Sequence, residues 1–265
     1  MGIGRTRARG TRWWLAMGLA LSAGLGGAAP ARADEIKVFS AGAVRAIVTE
    51  LSEAFRQETG HTVTLSFGTV GVTRGKIASG EPVDVVIMTD VAIDDAAKQG
   101  AVVPGSRADL ARTGMGLGVR EGAPKPDIAT SEAFKQTLLS AKSLVYVDPA
   151  QGATSGIHFA SVLDRLGIAD AVKGKTQLVP GGYPAEKVAS GEAEVVVHQI
   201  SEIVPVKGVV LVGPLPPDLQ KVTVYSAGLA VRSAAPETAR AFIAFLTRPA
   251  FKAKFAAAGL DYQQR

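Results

Sequence analysis

Residues 36–100 read IKVFSAGAVRAIVTELSEAFRQETGHTVTLSFGTVGVTRGKIASGEPVDVVIMTDVAIDDAAKQG, and their periodicities decide the fold. Ile36–Ser40 is a short apolar run, a strand candidate, followed by the small residues Ala41, Gly42 and Ala43. From Val44 to Glu58, Ile47, Leu51 and Phe55 recur every four residues, which lays them on one helix face. Thr62–Phe67 alternates polar with apolar residues, the pattern of a half-buried strand. Gly68-Thr69-Val70-Gly71 opens a second helix that runs through Ile77 and closes at Gly80. Val83–Met88 is a strand rich in branched residues, and Ile93–Gln99 a helix closed by Gly100. Strand, glycine turn and helix in repetition predict parallel βαβ units and an α/β fold.

The rest of the chain continues in the same idiom. Gly114–Val119 reads as a strand, followed by a loop at Glu121–Asp127 that holds Pro124 and Pro126. Leu144–Val147 is a strand that runs into Asp148-Pro149 and a loop ending at Thr154-Ser155-Gly156, and a helix spans Ile157–Leu166. A short helix at Ala185–Ser190 and strands at Glu194–His198, Val209–Val212 and Thr223–Val231 follow, with terminal helices at Thr238–Leu246 and Ala250–Ala258.

The chain has 265 residues, 47% hydrophobic, with no cysteine and a formal charge of +5. The charge is an accident of one end. Arg5, Arg7, Arg9 and Arg12 precede an uncharged stretch from Trp13 to Ala29, and Ala31-Arg32-Ala33 ends it, the three parts of a secretory signal. Removal after Ala33 takes five arginines and both tryptophans, leaving 24 basic side chains against 24 acidic ones. The mature chain is then expected to be a neutral exported protein, with no nucleic-acid motif. Without cysteine it has no disulfide and no thiolate chemistry.

Three helix starts are built of small residues: Ser40-Ala41-Gly42-Ala43-Val44, Gly68-Thr69-Val70-Gly71 and Thr154-Ser155-Gly156. Each follows a strand, and free N–H groups with the helix dipole favour an anion there. The competing reading is ordinary capping by Thr69 and Ser155. Arg45 and Arg74 fall in the first turns of the first two of these helices; a guanidinium fork at both would favour an organic polyacid. His61 lies in a turn, His158 one turn into a helix, and His198 at a strand end, four residues before Glu202. No histidine spacing suits zinc, and no serine-hydrolase elbow occurs. Gly174-Lys175-Thr176 reads as a chance tripeptide, since no strand and no first glycine precede it.

Together these pieces resemble the periplasmic molybdate-type solute-binding proteins of ABC importers. The resemblance is carried by Val38-Phe39-Ser40-Ala41-Gly42-Ala43, Ser66-Phe67-Gly68-Thr69, Ile77–Val85, Asp148-Pro149 and Ser226–Val231. It implies a two-lobed type II binding-protein fold, each lobe a mixed, mostly parallel sheet flanked by helices. One lobe would hold residues 34–115 and 222–265, the other 116–221, with the ligand in the cleft between them. Where molybdate binders of this family carry serines, this chain carries Ala43 and Val70, and His198 stands in place of a tyrosine. A tetrahedral oxyanion would thus lose donors, at about 1–3 kcal/mol each.

The segments Gly122–Ile128, Ala133–Leu138 and Gln220–Gly228 are similar to those of exported aconitate isomerases, which resemble this fold in catalytic use. The leading expectation is therefore a periplasmic, cofactor-free, monomeric binding protein for a small organic anion, held by Gly42, Ala43, Val44, Arg45, Thr69, Val70, Gly71, Arg74, Thr154, Ser155 and His198. It would deliver that anion to the membrane component of an importer. The alternative is an aconitate isomerase in which His198 and Glu202 move the proton.

Overall fold

The computed structural model describes residues 1, 2, 4 and 33–262; the export signal expected over residues 1–33 lies almost wholly outside the described residues. The opening stretch folds in the expected order. Strands β1 (Glu35–Ala41) and β2 (Thr62–Gly68) run parallel, and β3 (Val85–Thr89) joins the other side of β1. Between them lie helices α1 (Arg45–Thr59), α2 (Val70–Ala78) and, after β3, α3 (Asp90–Lys98). The four-residue spacing of Ile47, Leu51 and Phe55 buries all three, and Gly60 ends α1 in the left-handed region at φ 78°.

After β4 (Ala108–Thr113) the chain crosses through Gly114 alone into a second sheet, beginning with β5 (Met115–Arg120). That sheet adds β6 (Leu144–Val147), β7 (Thr176–Val179), β8 (Val195–Gln199) and β9 (Val209–Pro214) in the order β7-β6-β8-β5-β9. Its helices are α4 (Ser131–Ser140), α5 (Thr154–Arg165), α6 (Ala169–Lys173), α7 (Ala185–Ala189) and α8 (Ile200–Ile203). The chain then returns to the first sheet with β10 (Thr223–Leu229), α9 (Pro236–Leu246), α10 (Lys252–Ala257) and β11 (Asp261–Tyr262). The first sheet has the order β11-β4-β10-β3-β1-β2.

Both sheets are mixed. The parallel strands are β2, β1 and β3 in one and β7, β6 and β8 in the other; β10 is antiparallel to β3 and β4, and β5 to β8 and β9. The residue pattern predicts the parallel βαβ units, and the mixed, mostly parallel sheets are as the family resemblance implies. Each sheet buries its own aromatic centre. Phe55 meets Phe242 and Phe245 edge-on at 5.2 and 5.3 Å, so that α1 packs on α9. In the second sheet Phe159 packs on Tyr146 at 4.9 Å and on Phe134 at 6.4 Å. Among the described residues no helix is long and apolar enough to cross a membrane.

One buried carboxylate ties distant parts of the first sheet together. Asp84 accepts from the backbone N–H of Lys37 at 2.7 Å, from the Ser233 hydroxyl at 2.7 Å and from the N–H of Ala234 at 2.8 Å. Burial alone would push this carboxyl up. The N–H of Lys37, the Ser233 hydroxyl and the N–H groups of Ala235 and Ala234 outweigh it and hold Asp84 below the usual aspartate range.

Candidate functional site

A cleft of about 310 Å³ lies between the two sheets, at the carboxyl ends of β1, β2, β6 and β8. Open α/β sheets place ligands at that edge because the following helices begin there. Two of the three predicted helix starts open onto it without a side-chain cap. The 3-10 turn Gly42–Val44 that leads into α1 follows Ala41, and α5 follows Ala153; neither alanine offers a side-chain cap. Gly42 and Ala43 line the cleft from one side, Thr154 and Ser155 from the other.

The third start has a different job. Thr69 caps α2 by accepting from the N–H of Val72 at 3.0 Å, and its own hydrogen goes to the carbonyl of Gln151 at 2.5 Å. The N–H of Gly71 donates to the carbonyl of Gly152 at 3.2 Å. The groups expected to receive an anion at Thr69 and Gly71 are thus engaged with the loop before α5, across the cleft. A side chain on Gly71 would meet the Gln151 carbonyl oxygen at 2.7 Å and the Gly152 Cα at 2.9 Å, so the two chain segments touch backbone to backbone. Val70 lines the cleft with an apolar side chain.

At the floor, His198 lies one residue before the end of β8 and Glu202 lies in α8, and the i,i+4 step brings the Nε2 of the first to 3.2 Å from Oε2 of the second. Both are buried, at 2% and 6% exposure. The approach is close but not aligned for a hydrogen bond, and among the described residues both ring nitrogens of His198 lack a hydrogen-bond partner. The other oxygen of Glu202 rests on Gly42, where a Cβ would stand 2.7 Å away, so only glycine leaves room for it. Gln199 and Tyr225 also line the floor. The Gln199 carboxamide nitrogen lies 2.5 Å from the Tyr225 hydroxyl, and its oxygen Oε1 has no partner. Burial first, and then the charge of Glu202, push the Tyr225 phenol upward and keep it protonated.

Arg45 reaches the cleft as expected. Its guanidinium lies 4.8 Å from the Phe67 ring centre and 5.3 Å from that of Tyr183, and its buried Nε has no hydrogen-bond partner among the described residues. Burial pushes the Tyr183 phenol up to about 12, with Glu202 adding to the shift and Arg45 opposing it. Arg74 does not join this group. It pairs with Asp95 at 2.8 Å on the surface, because α2 turns its second turn toward α3. Val44 is wholly buried in the core beneath α1 rather than in the cleft. His61 accepts from the N–H of Asp34 at 3.0 Å, and His158 lies 2.8 Å from the Leu219 carbonyl, so both are structural. Lys175 of the chance tripeptide holds the carbonyls of Leu139 and Ala141.

The pairing of Gln199 with Tyr225 and the stacking of Tyr183 on Arg45 escaped the sequence reading. Gln199 stands beside His198, but nothing local marks residue 225 as its neighbour.

Residues 36–261 match the family described as bacterial extracellular solute-binding proteins. An aconitate isomerase of Pseudomonas sp is 35% identical over 217 residues, 80% of this chain and 81% of that one. A molybdate-binding protein of Rhodobacter capsulatus is 30% identical over 250 residues, covering 92% of this chain and 91% of the other. Among solved structures, the periplasmic molybdate-binding protein of Azotobacter vinelandii superposes with a TM-score of 0.72 over 86% of this chain and 100% of its own, at 23% identity.

Proposed function

Since the chain belongs to the bacterial extracellular solute-binding protein family, we propose that its cleft takes a small polycarboxylate and shifts a proton along it, as in the interconversion of cis- and trans-aconitate. The observation that carries this reading is the buried His198–Glu202 pair, close together at the floor of an anion-type cleft, with both imidazole nitrogens free of hydrogen bonds among the described residues. A protein that only binds and releases an anion gains nothing from burying a carboxylate beside it. A proton-transfer site needs such a pair, and shielded titratable groups in a cleft mark functional sites. The aconitate isomerase relative supports the same choice, and so does the absence of hydroxyls at Ala43 and Val70 for an oxyanion.

The chemistry balances without a cofactor. A propene tricarboxylate carries a methylene on one side of its central carbon and a vinyl C–H on the other. His198 takes a methylene proton, and the electron pair spreads as a dienolate over both terminal carboxylates. Return of the proton to the former vinyl carbon moves the double bond and resets its geometry. Glu202 orients the imidazole and offsets its positive charge, Arg45 clamps a carboxylate, and the helix starts at Gly42 and Thr154 take the developing charge. The lobes, residues 34–115 with 222–265 and residues 116–221, would close over the substrate by hinging at the two crossovers.

Proton NMR of the chain with trans-aconitate in deuterated water tests the reading. The cis isomer is expected to accumulate, with deuterium entering the methylene and vinyl positions. His198→Ala should lower that rate about 10²–10⁴-fold while the ligand still raises the melting temperature. Binding without turnover would leave a second reading, delivery of the anion to a membrane importer, which the molybdate-binding relatives favour. Neither binding nor turnover would sink both. The family is consistent with export, and if the signal is removed after Ala33, mass spectrometry of the secreted chain should find Asp34 at its start.

A further inference from the structure

We propose that Gln199 sets the specificity of the cleft by presenting its carboxamide N–H groups to a ligand carboxylate, in an orientation fixed by Tyr225; the inference rests on the polycarboxylate reading above.

Gln199 is 2% exposed, lines the cleft next to His198, and ends β8 of the second sheet. Tyr225 is equally buried and belongs to β10 of the first. Their contact at 2.5 Å therefore bridges the two sheets at the floor of the site. With nitrogen facing Tyr225, two groups go unmatched: the carboxamide oxygen has no partner, and the phenolic hydrogen meets no acceptor among the described residues.

The two ends of a carboxamide have nearly the same shape, so its surroundings decide which end faces where. Turning it over lets the Tyr225 O–H donate to Oε1, and a separation of 2.5 Å suits O–H···O, whereas N–H···O bonds are longer. The same rotation moves two N–H donors to the place of the orphaned oxygen. A lone acceptor there would repel an anion; two donors attract one. The phenol stays protonated in its buried position, so it always donates and always selects this orientation. The cleft then holds three separate donor groups for carboxylates: the helix starts, Arg45 and Gln199. A ligand lacking the carboxylate that Gln199 reads leaves buried donors unmatched, which is how a site rejects a near-isostere.

Calorimetric titration with four probes tests this: trans-aconitate, trans-glutaconate (no central carboxylate), mesaconate (no carboxylate on the methylene side) and itaconate (no carboxylate on the vinyl carbon). Gln199→Met, which keeps the size and removes the donors, should weaken trans-aconitate at least tenfold and leave one of the three dicarboxylates within twofold. The spared dicarboxylate identifies the carboxylate that is read. Tyr225→Phe should move the same ratio in the same direction. An equal loss for all four probes, or no loss for any, in both variants overturns the inference while the polycarboxylate reading stands. If the wild-type chain binds none of the four, that reading fails and this inference falls with it.

Discussion

Glu202 rests so closely on Gly42 that the position of one carboxylate oxygen depends on a missing methyl group. Gly42→Ala is expected to push Glu202 off His198 and cut the proposed aconitate turnover about 100-fold, the cost of roughly 1 Å of misplacement. Its melting temperature should change little, which separates the effect from unfolding. Arg45→Ala should weaken the ligand about 10–100-fold by titration, since a buried charged hydrogen bond is lost. Arg45→Lys should recover only part, because Lys has neither the fork nor the planar face that lies by Phe67 and Tyr183. The His198–Glu202 pair was legible from sequence, since a strand end and a helix four residues on can face each other. Arg74 was not: its partner Asp95 is a residue on a different helix, and no periodicity reports which way a surface arginine leans.

The three helix starts share a composition and do different work, which composition cannot foretell. Those at Gly42 and Thr154 lack caps and open onto the cleft, while the one at Thr69 is capped and spends its remaining hydrogen bonds on the loop at 151–152. Gly71→Ala therefore splits two observables that usually move together. Alanine favours a helix, so thermal stability should hold or rise slightly. The added Cβ, 2.7 Å from the Gln151 oxygen, should hold the cleft open and weaken ligand binding. Equal losses in both would refute that division. The early strands and α1 were readable because their apolar spacing is clean. By contrast β4 reads as polar, with Asp109 and Arg112 flanking Leu110 and Ala111, and it is a strand because β10 and β11 pair with it. The helix α4 carried a usable signal, a Thr130 cap followed by Phe134 and Leu138 four residues apart, which the sequence reading passed over.

Across the whole molecule, Asp84 links β1, the turn before β3 and the entry to α9. Its carboxyl titrates lower in the folded chain than in the unfolded one. The unfolded chain therefore takes up the proton first as pH falls, and the stability Asp84 adds at neutral pH is lost below about pH 4. Asp84→Asn should lower stability by about 2 kcal/mol at neutral pH, with a flatter decline in acid, read by urea titration at several pH values. The strand order carries a consequence for biosynthesis. The second sheet is continuous, from Met115 to Pro214, and has all its strands once that stretch has been made. In the first sheet β10 sits between β3 and β4, so β1, β2 and β3 can pair with one another early while β4 waits for nearly the last strand to arrive. A chain stopped after Pro214 should keep residues 115–214 protected from protease while residues 34–113 are cut. Order of synthesis and order of completion therefore run in opposite directions: the sheet that is begun first is the one closed last.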